Sequence, residues 1–208
     1  MAIGRRKSGG GDFLPILKYD ARSGRFCAVD RIFDGVRWQA ESTDVTEGFT
    51  ATFDMANLQV GWICFPAGAA PETHLVLAGH DYGNAPNEDY KEGFRVLVEI
   101  DGVTREFMST AIAAWTAIDA LHDLYLRDMS QHPGLLPEVG IASIRTQKAG
   151  PNTSFSPIFK IIGWVLRPAD MPTPAPTSAP PTKPAQRAAP APAPEFDDEI
   201  PFNGGAEG

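Results

Sequence analysis

The sequence predicts a mainly β domain with one helix, built as a small OB-type barrel, with a β-sandwich carrying one helix as the alternative. Three observations lead there. Short apolar stretches, several alternating with period two, recur between residues 14 and 166. Clusters of Gly, Asn, Asp and Ser separate them as turn signals. One stretch alone keeps helical spacing over several turns.

The elements follow in chain order. Residues 14–19 and 25–33 flank Ala21-Arg22-Ser23-Gly24, a turn signal that predicts a hairpin. Residues 36–40 and 49–55 alternate, the latter with Phe49, Ala51, Phe53 and Met55 on one face. Residues 58–65 read as a more fully buried strand, and 75–78 and 94–100 are apolar and β-branched. Asp101-Gly102 joins 94–100 to 103–107, a two-residue hairpin signal because both positions tolerate positive φ. The helix starts at a Ser109 or Thr110 cap, repeats Ile112, Trp115, Ile118, Leu121, Tyr125 and Met129, and stops at His132-Pro133-Gly134. Strands at 141–146 and 158–166 close the domain.

Composition divides the chain into four parts. Residues 1–11, MAIGRRKSGGG, form a flexible basic arm, and residues 12–170 form the OB-like domain. Residues 171–194 hold nine prolines in 24 positions among Ala, Thr and Ser, a disordered linker without the means to build a core. Such a string extends by roughly 3 Å per residue. Residues 195–208 form an acidic tip.

Up to Asp170 there are 16 basic and 21 acidic residues, a net of −5, and beyond it 2 and 5, a net of −3. That balance argues against a broad basic surface for duplex DNA, so a nucleic-acid site would be a local groove. Cys27 and Cys64 sit in apolar runs without a CxxC and read as buried, reduced thiols. No apolar stretch with a small-residue cleavage site follows the basic start, and no apolar run is long enough to span a bilayer. A cytoplasmic location without membrane attachment is expected.

Catalytic signals are poor. The chain has no GxxxxGK[ST], no GxGxxG after a strand and no GxSxG, and no cofactor is implied. His74, His80 and Asp81 are the one set that could gather around a metal ion, with the two histidines on one face of a strand. The chain therefore reads as no enzyme, with a metal-dependent nuclease on those three residues as a rival.

Aromatic and basic residues point elsewhere. Holding a single strand without sequence preference takes flat side chains for stacking and cations for phosphates. Tyr82, Tyr90 and Lys91 lie in the polar loop 79–93, and Phe155 in the loop 149–157. Lys160 and Trp164 share a face of the last strand. Arg31, Arg37, Arg95 and Arg105 lie in strands, where a cation should point away from the core. These ten residues are the candidate nucleic-acid contacts, and at least three of the five cations Arg31, Arg37, Arg95, Arg105 and Lys160 are expected on one concave surface beside one of the aromatics.

The most informative stretch comes near the end: Glu195-Phe196-Asp197-Asp198-Glu199-Ile200-Pro201-Phe202. EFDDEIPF resembles the acidic C-terminal tip of bacterial and phage single-stranded DNA-binding proteins, close to DFDDDIPF, with an OB-like body, a Pro-rich linker and then the tip. The resemblance implies a protein that coats exposed strands during DNA replication, recombination or repair in a bacterial cell, or in the bacterial host of a bacteriophage. It also implies that Phe196, Asp197, Asp198, Glu199, Ile200, Pro201 and Phe202 recruit partner enzymes. Physically, the acids attract a basic pocket while Ile200, Pro201 and Phe202 bury apolar surface, roughly 1.5–3 kcal/mol for a fully buried Phe, and screened charge pairs add less. One departure stands out: in the family the Phe ends the chain, whereas Asn203-Gly204-Gly205-Ala206-Glu207-Gly208 follow Phe202. An adaptor that carries the tip without a nucleic-acid groove is the other rival, and self-association is left open.

Overall fold

The computed structural model describes residues 14–149 and 152–172. The arm 1–11, the tip 195–208 and all of the linker beyond Pro172 lie outside these residues. The body reaches Met171, which is buried and donates its N–H to the Pro168 carbonyl at 3.1 Å.

The protein is mainly β with a single helix. The strands are β1 (Ile16–Asp20), β2 (Arg25–Phe33), β3 (Trp38–Asp44), β4 (Thr50–Phe53), β5 (Gln59–Cys64), β6 (Glu72–Leu77), β7 (Lys91–Ile100), β8 (Val103–Ser109), β9 (Leu135–Ala149) and β10 (Asn152–Leu166), with α1 (Ile112–Asp128) between β8 and β9. All ten strands belong to one sheet, in the order β10-β9-β4-β7-β8-β1-β2-β3, with the β5–β6 pair attached to β7. β7 organises this arrangement. One of its edges carries β8, and the other carries β5 along Lys91–Arg95 and β4 at Val98 and Glu99. Every pairing is antiparallel except β1 with β8.

The sheet is not closed into a barrel. The edge of β8 that a closing strand would need is taken by β1, through Ile16↔Glu106 and Leu17↔Phe107. β10 instead reaches the turn between β1 and β2, where Phe155 donates its N–H to the Ala21 carbonyl at 2.7 Å and the Tyr19 hydroxyl donates to the Phe155 carbonyl at 2.8 Å.

The core lies between the curled sheet and α1. Phe26, Phe53, Phe94 and Phe107 are fully buried, and the Phe26 ring sits 4.7 Å from Phe49 and 5.9 Å from Phe159. Each such ring contributes roughly 1.5–3 kcal/mol of burial. The helix turns most of the expected stripe inward, with Ile118, Leu121 and Tyr125 buried and Trp115 partly so, but alanines join it on that face. Ala113, Ala114, Ala117, Ile118, Leu121 and Tyr125 are buried, whereas Ile112 is 80% exposed. Alanines let the helix backbone come close to the sheet, and the buried Ser156 hydroxyl of β10 donates to the Ala113 carbonyl at 3.0 Å. Ala111, not Ser109 or Thr110, occupies the cap position, and Ser109 Oγ accepts the Ala111 N–H just before it.

Several boundaries differ from expectation: β3 runs Trp38–Asp44 rather than 36–40, which leaves Arg37 in the turn before it, β9 starts at Leu135 rather than 141, and Lys91 opens β7 rather than lying in a loop. Of the expected loop 149–157, Ala149 ends β9 and 152–157 belong to β10, with Thr153 opposite Lys148 and Phe155 opposite Thr146, while 150–151 lie outside the described residues. The strand expected at 49–55 is β4 alone, because Met55–Asn57 turns into a short 3-10 segment. No helix among the described residues is long and apolar enough to cross a membrane.

Candidate functional site

The hairpin of β2 and β3 projects from the body. Phe26 and Ala28 are core residues, yet every residue from Arg31 to Asp44 is exposed. The change comes at Asp30, which accepts two hydrogen bonds from the Arg105 guanidinium of β8, at 2.8 and 3.1 Å. The turn beyond is tightly held. Asp34 Oδ1 accepts the backbone N–H groups of Arg37 and Val36 at 2.8 and 2.9 Å, and Oδ2 accepts from the Gln39 side chain. These bonds, Arg37 first, hold the Asp34 carboxyl below the usual range. Gly35 supplies the positive φ, +97°, that the turn requires.

This ordered tip carries apolar side chains in water. Trp38 is 62% exposed, Phe33 52%, Val36 88% and Ile32 47%. Phe33 and Trp38 are cross-strand partners with ring centres 5.3 Å apart and planes tilted by 48°. Arg31 precedes Phe33 by two positions on β2 and shares its face. Arg37 adjoins Trp38, its side chain 77% exposed and its Nε 4.0 Å from Asp34.

Strand alternation fixes which expected contacts share a face. Lys91 and Arg95 of β7, Glu106 of β8, Ile16 of β1, and Val29 and Arg31 of β2 follow one another on the outer side of the sheet. Arg95 is ion-paired with Glu106 at 2.5 Å, and Lys91 is exposed. Arg105 points the other way with Phe107. It is 7% exposed, so its charge serves Asp30 and not the surface.

The expected tyrosines lie on the opposite face from Arg31 and Arg95, around Trp62 of β5. The Tyr82 hydroxyl donates to Glu92 at 3.1 Å and its ring meets Trp62 edge-on at 5.8 Å. The Tyr90 hydroxyl donates to Glu72 at 2.7 Å, and this bond, with burial and the Glu72 charge, pushes its pKa up to about 12. Both hydroxyls therefore sit on carboxylates, a poor setting for a phosphate. Lys160 is exposed on β10 opposite Gly140. Trp164 is half-buried, stacked on His132 at 4.4 Å and 14°. Phe155 is half-buried over the glycine turn at Gly24. These three are on β10, at the other end of the hydrogen-bonded path from β3.

Phe33 and Trp38 did not stand out in the sequence, although a signal was present. Along β3, Gln39, Glu41 and Thr43 occupy one face and Ala40, Ser42 and Asp44 the other, so neither side can enter a core.

His74 of β6 packs against Tyr90, ring centres 5.3 Å apart, and His80 lies beyond β6 in a turn opened by Gly79 at φ +88°. The two do not share a strand face. Asp81 caps the next turn through the Gly83 N–H at 2.9 Å. Among the described residues no three His, Cys, Asp or Glu side chains gather as metal ligands. Cys27 and Cys64 are unpaired and half-buried.

One cavity of about 160 Å³ opens between α1 and the sheet, lined by Leu58, Val60, Phe94, Trp115, Ile118, Asp119 and His122 among others. Burial lowers the His122 pKa, against an upward pull from Asp123 and Asp119.

In comparisons with protein-family models, curated proteins and solved structures, nothing matches this chain.

Proposed function

We propose that this chain is a single-stranded DNA-binding protein that coats exposed strands during replication, recombination or repair and recruits partner enzymes through residues 195–202. The observation that carries the reading is the EFDDEIPF tip set behind a Pro-rich linker on a mainly β, one-helix body. The strand order supports it. The path β10-β9-β4-β7-β8, with the helix after its third strand in chain order, has the order of an OB-type Greek key left open at one side. In that architecture the second and third strands, β7 and β8 here, present the nucleic-acid face, and the outer side of β7 carries Arg95 and Lys91.

The mechanism is electrostatic and stacking. Cations on the outer side neutralise phosphates and release counterions, so affinity falls steeply as salt rises. Aromatic faces hold unpaired bases without reading sequence. The tip's carboxylates compete with phosphates for the same cations, so strand binding frees the tip for its partners. That contact is weak and exchangeable.

Titration of a fluorescent oligo-dT into full-length protein and into protein lacking residues 195–208 tests the reading. The shortened protein binds at least as tightly as the full chain. Absence of binding by both in dilute buffer overturns the reading. It would leave the adaptor, which the acidic setting of Tyr82 and Tyr90 favours.

A further inference from the structure

We propose that the tip of the β2–β3 hairpin is a stacking finger for unpaired bases, with Trp38 and Phe33 as platforms and Arg31 and Arg37 as phosphate partners. The inference rests on the single-strand-binding reading and assigns it a site.

The first support is the cost of the arrangement. Four large apolar side chains, Ile32, Phe33, Val36 and Trp38, stand in water within seven residues, all 47% or more exposed. Scattered exposed apolar residues need no explanation, but the paired rings of Phe33 and Trp38 on one face of the hairpin mark a contact surface. The second support is order. Asp34 commits both carboxylate oxygens to the turn, and Arg105 clamps the hairpin base at Asp30. The rings are thus held in place before any ligand arrives, which lowers the entropy cost of binding.

Geometry and charge select the ligand. With centres 5.3 Å apart and planes tilted by 48°, the two rings contact each other while both remain more than half exposed. A flat, polarisable base fits such a ring, and base–aromatic stacking tolerates any sequence. Each ring has an arginine close by in the hairpin: Arg31 shares the strand face of Phe33, and Arg37, in the turn, precedes Trp38 with its Nε 4.0 Å from Asp34. Exposed rings with arginines on the same hairpin suit a chain of alternating bases and phosphates. In a duplex the base faces are already stacked, so the finger selects unpaired strands.

The test is binding of a fluorescent thirty-nucleotide oligo-dT by the full chain and by Trp38→Ala, Phe33→Ala, the double variant, Trp38→Phe and Arg37→Ala. Circular dichroism and Tm serve as folding controls, which exposed side chains should leave unchanged. Each alanine platform variant loses roughly fivefold to a hundredfold in affinity, with its salt slope unchanged because stacking releases no counterions. Trp38→Phe keeps affinity within a few-fold yet loses most of the tryptophan quenching on binding. Arg37→Ala lowers the salt slope by about 0.7. If wild type binds and the double variant binds equally, the finger is wrong while single-strand binding stands. If wild type does not bind, both fall. If the double variant breaks an oligomer seen by sedimentation but keeps its DNA affinity, the hairpin is an interface between copies and the finger is overturned.

Discussion

Arg105 and Asp30, 75 residues apart in sequence, meet in a two-pronged ion pair at the base of the exposed hairpin, with nitrogen–oxygen distances of 2.8 and 3.1 Å. Arg105 is nearly sealed from water while Asp30 keeps 39% of its side chain exposed. The pair lies where the sheet leaves the core, so it sets the direction of β2 and β3. In the sequence Arg105 is indistinguishable from a surface cation, yet its charge is structural.

Arg105→Met should therefore destabilise the protein. Removing one member of a buried pair costs about 3–5 kcal/mol, and the half-exposed Asp30 reduces this to about 2–3 kcal/mol. Urea denaturation measures the loss. A phosphate-binding arginine would behave in the opposite way, with lower oligonucleotide affinity at unchanged stability.

Arg167 closes the body in a similar manner. Its Nη2 donates to Asp54 Oδ1 at 2.6 Å, and Asp54, with no exposed surface, also accepts from Asn57 Nδ2 at 2.9 and 3.0 Å. Arg167→Ala leaves a buried carboxylate with a single neutral partner. The expected cost is near the lower end of about 3–5 kcal/mol, because the Arg167 side chain is 25% exposed. A fragment ending at residue 166, which also loses the buried Met171, should show at least this deficit, and one ending at 172 should not. Matched midpoints for the two fragments would refute the role.

Gly61 of β5 faces Gly93 of β7 across the ladder, and its φ of +146° is one that side chains rarely adopt. A Cβ there would collide with the His74 carbonyl of β6. Gly61→Ala should cost about 1–3 kcal/mol from backbone strain alone, and more with the collision. Gly102→Ala is the control, since its φ is +75° but nothing lies within 4 Å of the added carbon. Denaturation midpoints should rank wild type above Gly102→Ala, and Gly102→Ala above Gly61→Ala.

Much of the fold was legible because its signals are local. Alternation and turn residues located most strands, and Asp101-Gly102 forms the expected turn with φ of 52° and 75°. What was missed depends on partners distant in sequence. Ile118, Leu121 and Tyr125 of the α1 stripe are buried as their spacing implies, but alanines make up the rest of the inward face, so Ile112 and Met129 stay outside. Phe155 belongs to a strand because β9 offers a matching edge, although its Ser, Thr and Pro neighbours read as a loop. Of the site, the cations of the outer side were visible as strand arginines. The exposure of Phe33 and Trp38 was signalled only weakly, by polar residues on both faces of β3, and became plain because no described element covers that strand.

His122 gives the fold a dependence on pH in a window of its own. It sits on α1 at the cavity with Leu58, Val60, Trp115 and Asp119, and burial places its folded pKa below the ordinary 6.5. Asp123 and Asp119 pull the other way without restoring it. The unfolded chain then takes up a proton at a pH where the folded chain stays neutral. The stability contribution is complete above about pH 6.5 and is lost as pH falls through the folded value. One proton gives a slope of at most about 1.4 kcal/mol per pH unit, and partial solvent access makes the observed slope smaller. The carboxylates held below their ordinary 3.8, among them Asp20, Asp34 and Asp44, lose their contribution only in stronger acid. Tm measured from pH 7.5 down to 5 should therefore fall in wild type and stay flatter in His122→Gln. Equal slopes between pH 6.5 and 5 would show that the cavity accepts the charged ring.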